Sequence, residues 1–196
     1  MDQTFFLENF CQNKTQRESF LTYFQLLQMW QRKLNLISAT SFQNIWSRHF
    51  IDSAQITQYL KPNNNIRGII DIGSGAGFPG LVISLLGFGP VYLVESNRHK
   101  ANFLNEAISQ TGSSAIVYSQ KFESIKLPSF NFVVSRAFAP LTRLLKILEN
   151  KGINNIRCIF PKGASVNEEI IEARKIWDIK LSKYQSITNL NSKILV

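Results

Sequence analysis

Cysteine is scarce in this chain. Of 196 residues only two are cysteine, Cys11 and Cys158. They lie far apart, in no C-x-x-C pattern and beside no histidine cluster, which excludes a disulfide scaffold and a structural zinc site and fits a reducing cytosol. Long apolar runs are missing too. No stretch approaches the ~18 residues of a membrane-spanning helix, and the opening MDQTFFLENFCQNK lacks a basic segment followed by an apolar one, so we expect a soluble protein that is not exported. No internal repeat and no low-complexity tract occurs, which excludes solenoids and arrays. Acidic residues are the third shortage: 13 against 22 Lys and Arg, for a net charge of +9. The imbalance is concentrated in residues 135–196, which carry 11 basic and 5 acidic side chains. An excess placed in this way points to a polyanionic partner.

Apolar side chain is what the chain has in quantity. Hydrophobic residues make up 44% and Phe alone contributes 15, enough to fill the core of one domain at the usual ~100–200 residues per domain. The first sixty residues read as a helical extension. Thr15-x-x-Glu18 has the form of a capping box, and Phe20, Phe24, Leu27 and Leu34 recur at helical spacing, predicting a helix over about 16–33. A second helix begins at Ser41, with Ile45, His49, Ser53, Ile56 and Leu60 along one face until Lys61-Pro62-Asn63-Asn64-Asn65 breaks it. A shorter one surrounds Phe5 to Phe10.

From residue 66 the pattern becomes apolar runs of strand length alternating with helical segments, the signature of β-α-β units in a mostly parallel sheet buried on both faces. Strands are predicted at 66–72, 91–95, 115–118, 130–135, 157–160, and a terminal antiparallel pair near 179–187 and 193–196, turning at Asn189-Leu190-Asn191. Helices start near Pro79, Asn97, Ala139-Pro140 and Asn167, with both prolines suited to a first helical turn. The division is therefore 1–60 for the extension and 61–196 for one compact α/β unit.

The most informative stretch is Ile69-Ile70-Asp71-Ile72-Gly73-Ser74-Gly75-Ala76-Gly77-Phe78-Pro79-Gly80, an apolar strand running into a glycine-rich turn that opens a helix. Such a turn lets backbone pass within contact distance of a nucleotide. Gly75 to Gly80 literally matches the G-x-G-x-x-G dinucleotide fingerprint, which makes an NAD-dependent oxidoreductase the first rival reading. Asp71 and Glu95 favour another ligand. Asp71, at the carboxyl end of its strand, would repel a pyrophosphate and would either face a cation or orient the loop. Glu95 ends the next strand and suits both hydroxyls of a ribose. Together with Gly73, Gly75 and Gly77 they suit S-adenosylmethionine, which carries a sulfonium and no phosphate.

These residues, together with Asn35-Leu36, Arg48-His49-Phe50-Ile51-Asp52-Ser53, Val94-Glu95-Ser96 with Lys100, Lys121-Phe122-Glu123, Ser135-Arg136-Ala137-Phe138-Ala139 and Lys162-Gly163, resemble in order and spacing the ribosomal RNA small-subunit guanine-N7 methyltransferases, also called the glucose-inhibited division protein B family. The resemblance implies a Rossmann-like, class I S-adenosylmethionine-dependent methyltransferase fold with an N-terminal helical extension, acting on one guanine of 16S ribosomal RNA or of the small ribosomal subunit in a bacterial cytoplasm. It places cofactor contacts on Gly73, Phe78, Phe122, Glu123 and Arg136.

Guanine N7 has an exposed lone pair and no proton to remove, so methylation there requires alignment and no general base. The residues agree. Ser135-Arg136-Ala137-Phe138 stands where an amino-group methyltransferase would show Asp/Asn-Pro-Pro-aromatic, and Cys158, inside an apolar strand, reads as core rather than as the nucleophile of a carbon-methylating enzyme. Arg136 is the candidate catalytic residue, acting on the guanine's acceptor edge or on the cofactor carboxylate. Arg48, His49, Arg98, Lys100 and Lys162 are candidate RNA contacts, with His49 and Asp52 an alternative orienting pair. No metal site is expected, and the lack of a long heptad or large apolar patch suggests a monomer. A non-catalytic RNA-binding module and a small-molecule methyltransferase are the other rivals; the intact glycines with Glu95 and Arg136 oppose the first, the basic last third the second.

Overall fold

The computed structural model describes residues 1–60 and 66–196, so the breaker at 61–65 lies outside the described residues. Helices α1 (Gln3–Asn9), α2 (Lys14–Gln31) and α3 (Ala39–Phe42) come first, followed by a helical run made of a π turn (Trp46–Ile51), α4 (Asp52–Ala54) and a 3-10 turn (Gln55–Tyr59). The start of α2 is not the expected Thr15–Glu18 box. Asn13 is the cap: its side chain accepts from the Gln16 amide at 2.9 Å, while Gln16 Oε1 accepts from the Gln12 amide at 2.8 Å. Asn fills that position at least as well as Thr, and Glu18 instead faces Lys14 at the surface. The segment expected as one helix from Ser41 is broken into three hydrogen-bonding patterns, yet Ile45, His49, Ser53, Ile56 and Leu60 are all buried as its spacing required.

Seven strands follow: β1 (Ile69–Ile72), β2 (Val91–Val94), β3 (Ile116–Tyr118), β4 (Phe132–Val134), β5 (Arg157–Lys162), β6 (Lys183–Gln185) and β7 (Lys193–Leu195). They form one sheet in the order β3-β2-β1-β4-β5-β7-β6, with β7 antiparallel to both β5 and β6 and the remaining pairs parallel. The chain order reverses between β1 and β4, and the crevice above the carboxyl ends of strands at such a reversal is where open α/β sheets bind ligands.

Helices α5 (Gly80–Leu85), α6 (Arg98–Thr111), α7 (Leu141–Asn150) and α8 (Val166–Arg174) connect the parallel strands. Pro79 and Pro140 stand one position before α5 and α7 rather than in their first turns. β1 is buried along its whole length, yet its side chains still alternate between two cores. Ile69, with Val91, Leu93, Phe132 and Val134, meets α5, α6 and the N-terminal helices. Ile70 and Ile72, with Val94 and Val133, meet α7 and α8. The N-terminal helices thus fill one face of the sheet, and their aromatics reach the glycine loop: the rings of Tyr23, His49 and Phe50 lie 5.6, 4.9 and 5.2 Å from that of Phe78.

Candidate active site

The loop after β1 is fixed by its own neighbourhood. The amides of Gly73 and Ser74 donate to the Val94 carbonyl at 2.9 and 3.0 Å, and Ser74 Oγ donates to the Asp71 carbonyl at 3.0 Å. Gly73 has φ +73°, and a Cβ there would fall 2.2 Å from the Phe138 ring; Gly77 has φ +96°, and a Cβ there would fall 2.6 Å from the Tyr23 hydroxyl. Side chains are excluded at both positions by conformation and by space.

Asp71 is fully buried, and Oδ2 accepts from the Gly80 amide at 2.9 Å. This bond matches one of its two expected roles, orienting the loop: the carboxylate sits at the first amide of α5. Burial pushes it up to about 7, against the opposing pull of the Gly80 bond and of Arg136. Oδ1 is buried without a partner among the described residues. A dinucleotide enzyme would put pyrophosphate at that helix start, so Asp71 occupies the place the rival fingerprint needs. Glu95, also buried, accepts from Gly75 N at 2.9 Å through Oε2 and from Asn97 N at 2.7 Å through Oε1. Each oxygen keeps a second lone pair for another donor.

A cavity of about 660 Å³ opens beside this loop. Gly73, Gly75, Phe78, Glu95, Phe122, Glu123 and Arg136 line it; Gly77 and Asp71 stand behind the wall. Phe122 begins a 3-10 turn, Phe122–Ser124, beyond the end of β3. The residues fit S-adenosylmethionine: a side-chain-free backbone at Gly75 that meets almost nothing within 4 Å, an acceptor-bearing carboxylate at Glu95, and the apolar Phe78 and Phe122.

Arg136 leaves the end of β4 and is clamped from the helical run. One terminal nitrogen donates to the Arg48 carbonyl at 2.8 Å and pairs with Asp52 Oδ2 at 3.4 Å; the other lies 2.6 Å from His49 Nδ1, and the guanidinium rests 5.4 Å over the Phe78 ring. Arginine can only donate, so His49 Nδ1 accepts and its proton is on Nε2. Burial, then the charges of Arg136 and Arg48, push the imidazole down to about 3. His49 is therefore a neutral, buried prop of Arg136 in the cofactor wall, away from the surface position expected of an RNA contact. The expected His49–Asp52 orienting pair is replaced by two separate bonds, one from each side chain to Arg136. Asp52 is held in turn by Thr188 Oγ1 and Gln55 Nε2, both at 2.8 Å from Oδ1.

The other expected RNA contacts separate. Arg48 and Arg98 are exposed, and Lys100 lines the cofactor cavity. The Lys162 side chain is only 8% exposed; it pairs with Glu169 at 2.9 Å and donates to the Ala139 carbonyl at 2.7 Å, a clamp between β5 and α8 and no free phosphate ligand. Cys158 sits in β5 opposite Val133, toward the amino end and away from the glycine loop, and burial pushes its thiol up to about 12. Among the described residues no three His, Cys, Asp or Glu side chains gather as metal ligands, and no helix is long and apolar enough to cross a membrane.

Sequence reasoning missed Tyr23, whose buried hydroxyl donates to the Ala76 carbonyl and braces the glycine loop. A tyrosine in a stripe otherwise made of Phe and Leu was the available signal, because a buried hydroxyl needs a partner. Gln55, Ser186 and Thr188, which anchor Asp52, carried no signal.

The family model described as GidB, rRNA small subunit methyltransferase G, matches residues 16–195. Relatives named ribosomal RNA small subunit methyltransferase G include one from Rhodospirillum centenum, 37% identical over 177 residues and covering 88% of this chain and 79% of the relative. Another, from Rickettsia bellii, is 38% identical over 178 residues and covers 91% of each. The fold resembles that of magnesium protoporphyrin IX methyltransferase from Synechocystis PCC 6803, with TM-score 0.58, 11% identity, 94% of this chain and 97% of that one. It also resembles a SAM-dependent methyltransferase from Aquifex aeolicus, with TM-score 0.55, 15% identity, 77% of this chain and 89% of that one. With a class I methyltransferase fold, a cradle that fits S-adenosylmethionine and a match spanning nearly its whole length, this chain belongs to the rRNA small subunit methyltransferase G family.

Proposed function

We propose that the chain transfers the methyl group of S-adenosylmethionine to N7 of one guanine in 16S ribosomal RNA, acting as a single chain in a bacterial cytoplasm. The observation that carries this reading is the clamped Arg136 at the junction of the glycine-loop cavity and the helical run, held there by the Arg48 carbonyl, Asp52 and His49. His49, the nearest imidazole, spends its acceptor nitrogen on Arg136 and stays neutral. Asp71 is closed off behind the loop.

The bound cofactor supplies a sulfonium-activated methyl group. The protein's task is then to hold a nucleophile that is already unprotonated, and alignment of this kind can supply ~7–11 kcal/mol of a barrier. Gly73 and Gly75 give the cofactor backbone at contact distance. Glu95 presents acceptors for ribose hydroxyls, while Phe122 and Glu123 offer an apolar edge and a carboxylate to the adenosine. Arg136 sets the geometry where the two substrates meet, through the guanine acceptor edge or the cofactor carboxylate. Exposed Arg48 and Arg98 contact RNA phosphates, supported by the basic excess of residues 135–196.

The test is transfer of labelled methyl from S-adenosylmethionine to 16S RNA, naked and within the small subunit, followed by mapping of the labelled atom. Label at N7 of a single guanine is the expected result. Label on an exocyclic nitrogen, a ribose or a pyrimidine carbon overturns the reading.

A further inference from the structure

The walls of the methyl-donor cavity come from two parts of the chain. Most of the lining belongs to the α/β unit, but Leu36, Ile37, Ser38 and Ser41 come from the α2–α3 loop and from α3. We infer that Gln31 is a positioning residue for S-adenosylmethionine: its carboxamide holds the α2–α3 loop in place as one wall of the cavity. The inference rests on the reading of that cavity as the S-adenosylmethionine site and names what keeps it shaped.

Gln31 is the last residue of α2, and residues 32–38 form neither helix nor strand. Backbone groups in such a segment need partners that no regular ladder supplies. Gln31 provides them where the loop meets the cavity. Its Oε1 accepts from the amides of Leu36 and Ile37, both at 3.1 Å, and its Nε2 donates to the Ile37 carbonyl at 2.7 Å and to Asn35 Oδ1 at 3.1 Å. A primary amide has two lone pairs and two N–H donors, and all four are used within six residues of chain. Ser38 secures the far end: its Oγ accepts from the Ser41 amide at 3.3 Å and so caps α3.

Packing agrees with this arrangement. Leu36 is buried in the core shared by the N-terminal helices and one face of the sheet, and Ile37 rests against that core, so side chains pin the loop while Gln31 fixes its backbone. The loop serves the donor side only. Arg136, Ala137 and Phe138 divide this cavity from a second, of about 460 Å³, whose lining among the described residues includes none of 32–41.

A wall already in place need not be ordered when the ligand arrives, whereas a loose one is ordered at the expense of affinity. When only a fraction of molecules hold the loop in place, the dissociation constant rises by the inverse of that fraction.

Gln31→Met keeps the length and the apolar stem of the side chain and removes all four bonds. With the loop in place in about a tenth of molecules, it should weaken S-adenosylmethionine binding ~10-fold by calorimetry and raise the KM for the donor by the same factor, while kcat at saturating donor and the KM for 16S RNA stay within about twofold. In the ligand-free chain, hydrogen exchange at the Leu36 and Ile37 amides should quicken with the protection of α6 kept, the mark of a local loosening. Gln31→Glu still accepts from both amides and loses only the donated bonds; it should weaken binding by less, about threefold, and is the variant to read if Gln31→Met does not fold. Donor affinity within about twofold of the unsubstituted chain in both variants overturns the inference. So does a fall in kcat at unchanged donor KM, which reports a general loss of folded enzyme. Failure of the unsubstituted chain to bind S-adenosylmethionine overturns the reading of the cavity, a distinct result.

Discussion

The loop after β1 and the loop after β4 leave neighbouring parallel strands and border one cavity, but different distances along the chain hold them. Asp71, Ser74 and Gly80 bond within nine residues of one another, and Glu95 reaches Gly75 from the next strand, 20 residues on. Arg136 is held by Arg48, Asp52 and His49, 84 to 88 residues away, and Asp52 by Thr188, a further 136 away. The loop after β1 takes its backbone and carboxylate bonds from a β-loop-α unit and its neighbour β2, with Tyr23 as a distant brace at Ala76, whereas every side-chain bond of Arg136 comes from the helical run, itself anchored to the terminal hairpin through Asp52.

Arg136→Ala should have the largest effect on this contrast. Loss of a positioned donor at a reacting centre typically costs ~10²–10³ in rate, and single-turnover transfer to 16S RNA should fall by that much; unchanged turnover and cofactor affinity would remove Arg136 from the site.

The buried supports of the two loops, Asp71 and His49, should also titrate with opposite sign. Asp71, raised to about 7, lies above a free carboxyl near ~3.9, so protonation favours the fold and its contribution rises as pH falls from about 7 toward 4. His49, lowered to about 3, lies below a free imidazole near ~6.5; protonation opposes the fold, and its contribution is full above ~6.5 and lost toward 3. Acidification from pH 7 to 5 should therefore destabilise Asp71→Asn and stabilise His49→Gln, each by ~2 kcal/mol relative to the unsubstituted chain. Urea unfolding at the two pH values measures this, and parallel shifts in both variants would contradict the assignment.

Gly73→Ala should weaken S-adenosylmethionine binding about tenfold, the equivalent of backbone strain of ~1–3 kcal/mol, because φ +73° and the Phe138 ring leave no place for a methyl; calorimetry reads the change. Asp52→Asn should have the smallest effect, a loss of ~1 kcal/mol in stability with transfer reduced and cofactor affinity kept, since the amide still accepts from Thr188 but no longer carries charge for Arg136. Equal losses of cofactor affinity in both variants would mean that the loops are not separately supported.

What could be read ahead follows the same division. Gly73 and Glu95 were legible because a strand, a glycine turn and the acid ending the next strand lie close along the chain, and their chemistry is local. Lys162 looked like a free cation because nothing near it in sequence announces Glu169 and the Ala139 carbonyl. His49 looked like a surface contact for the same reason: its helical face was legible, but not Arg136 arriving from β4 to take its nitrogen.

By itself the amino-acid order determined the alternation of strands and helices, the glycine turn and the basic excess of the last third, because each depends on dihedral preference, periodicity or composition over a few neighbouring residues. Only the folded chain decided that Asp71 accepts from the first amide of α5, that the helical run grips Arg136 while the hairpin anchors Asp52, and that Phe138 stands between two cavities. Those outcomes depend on which distant groups compete for one buried donor or acceptor, and that competition is resolved only when the sheet has closed and water has been excluded.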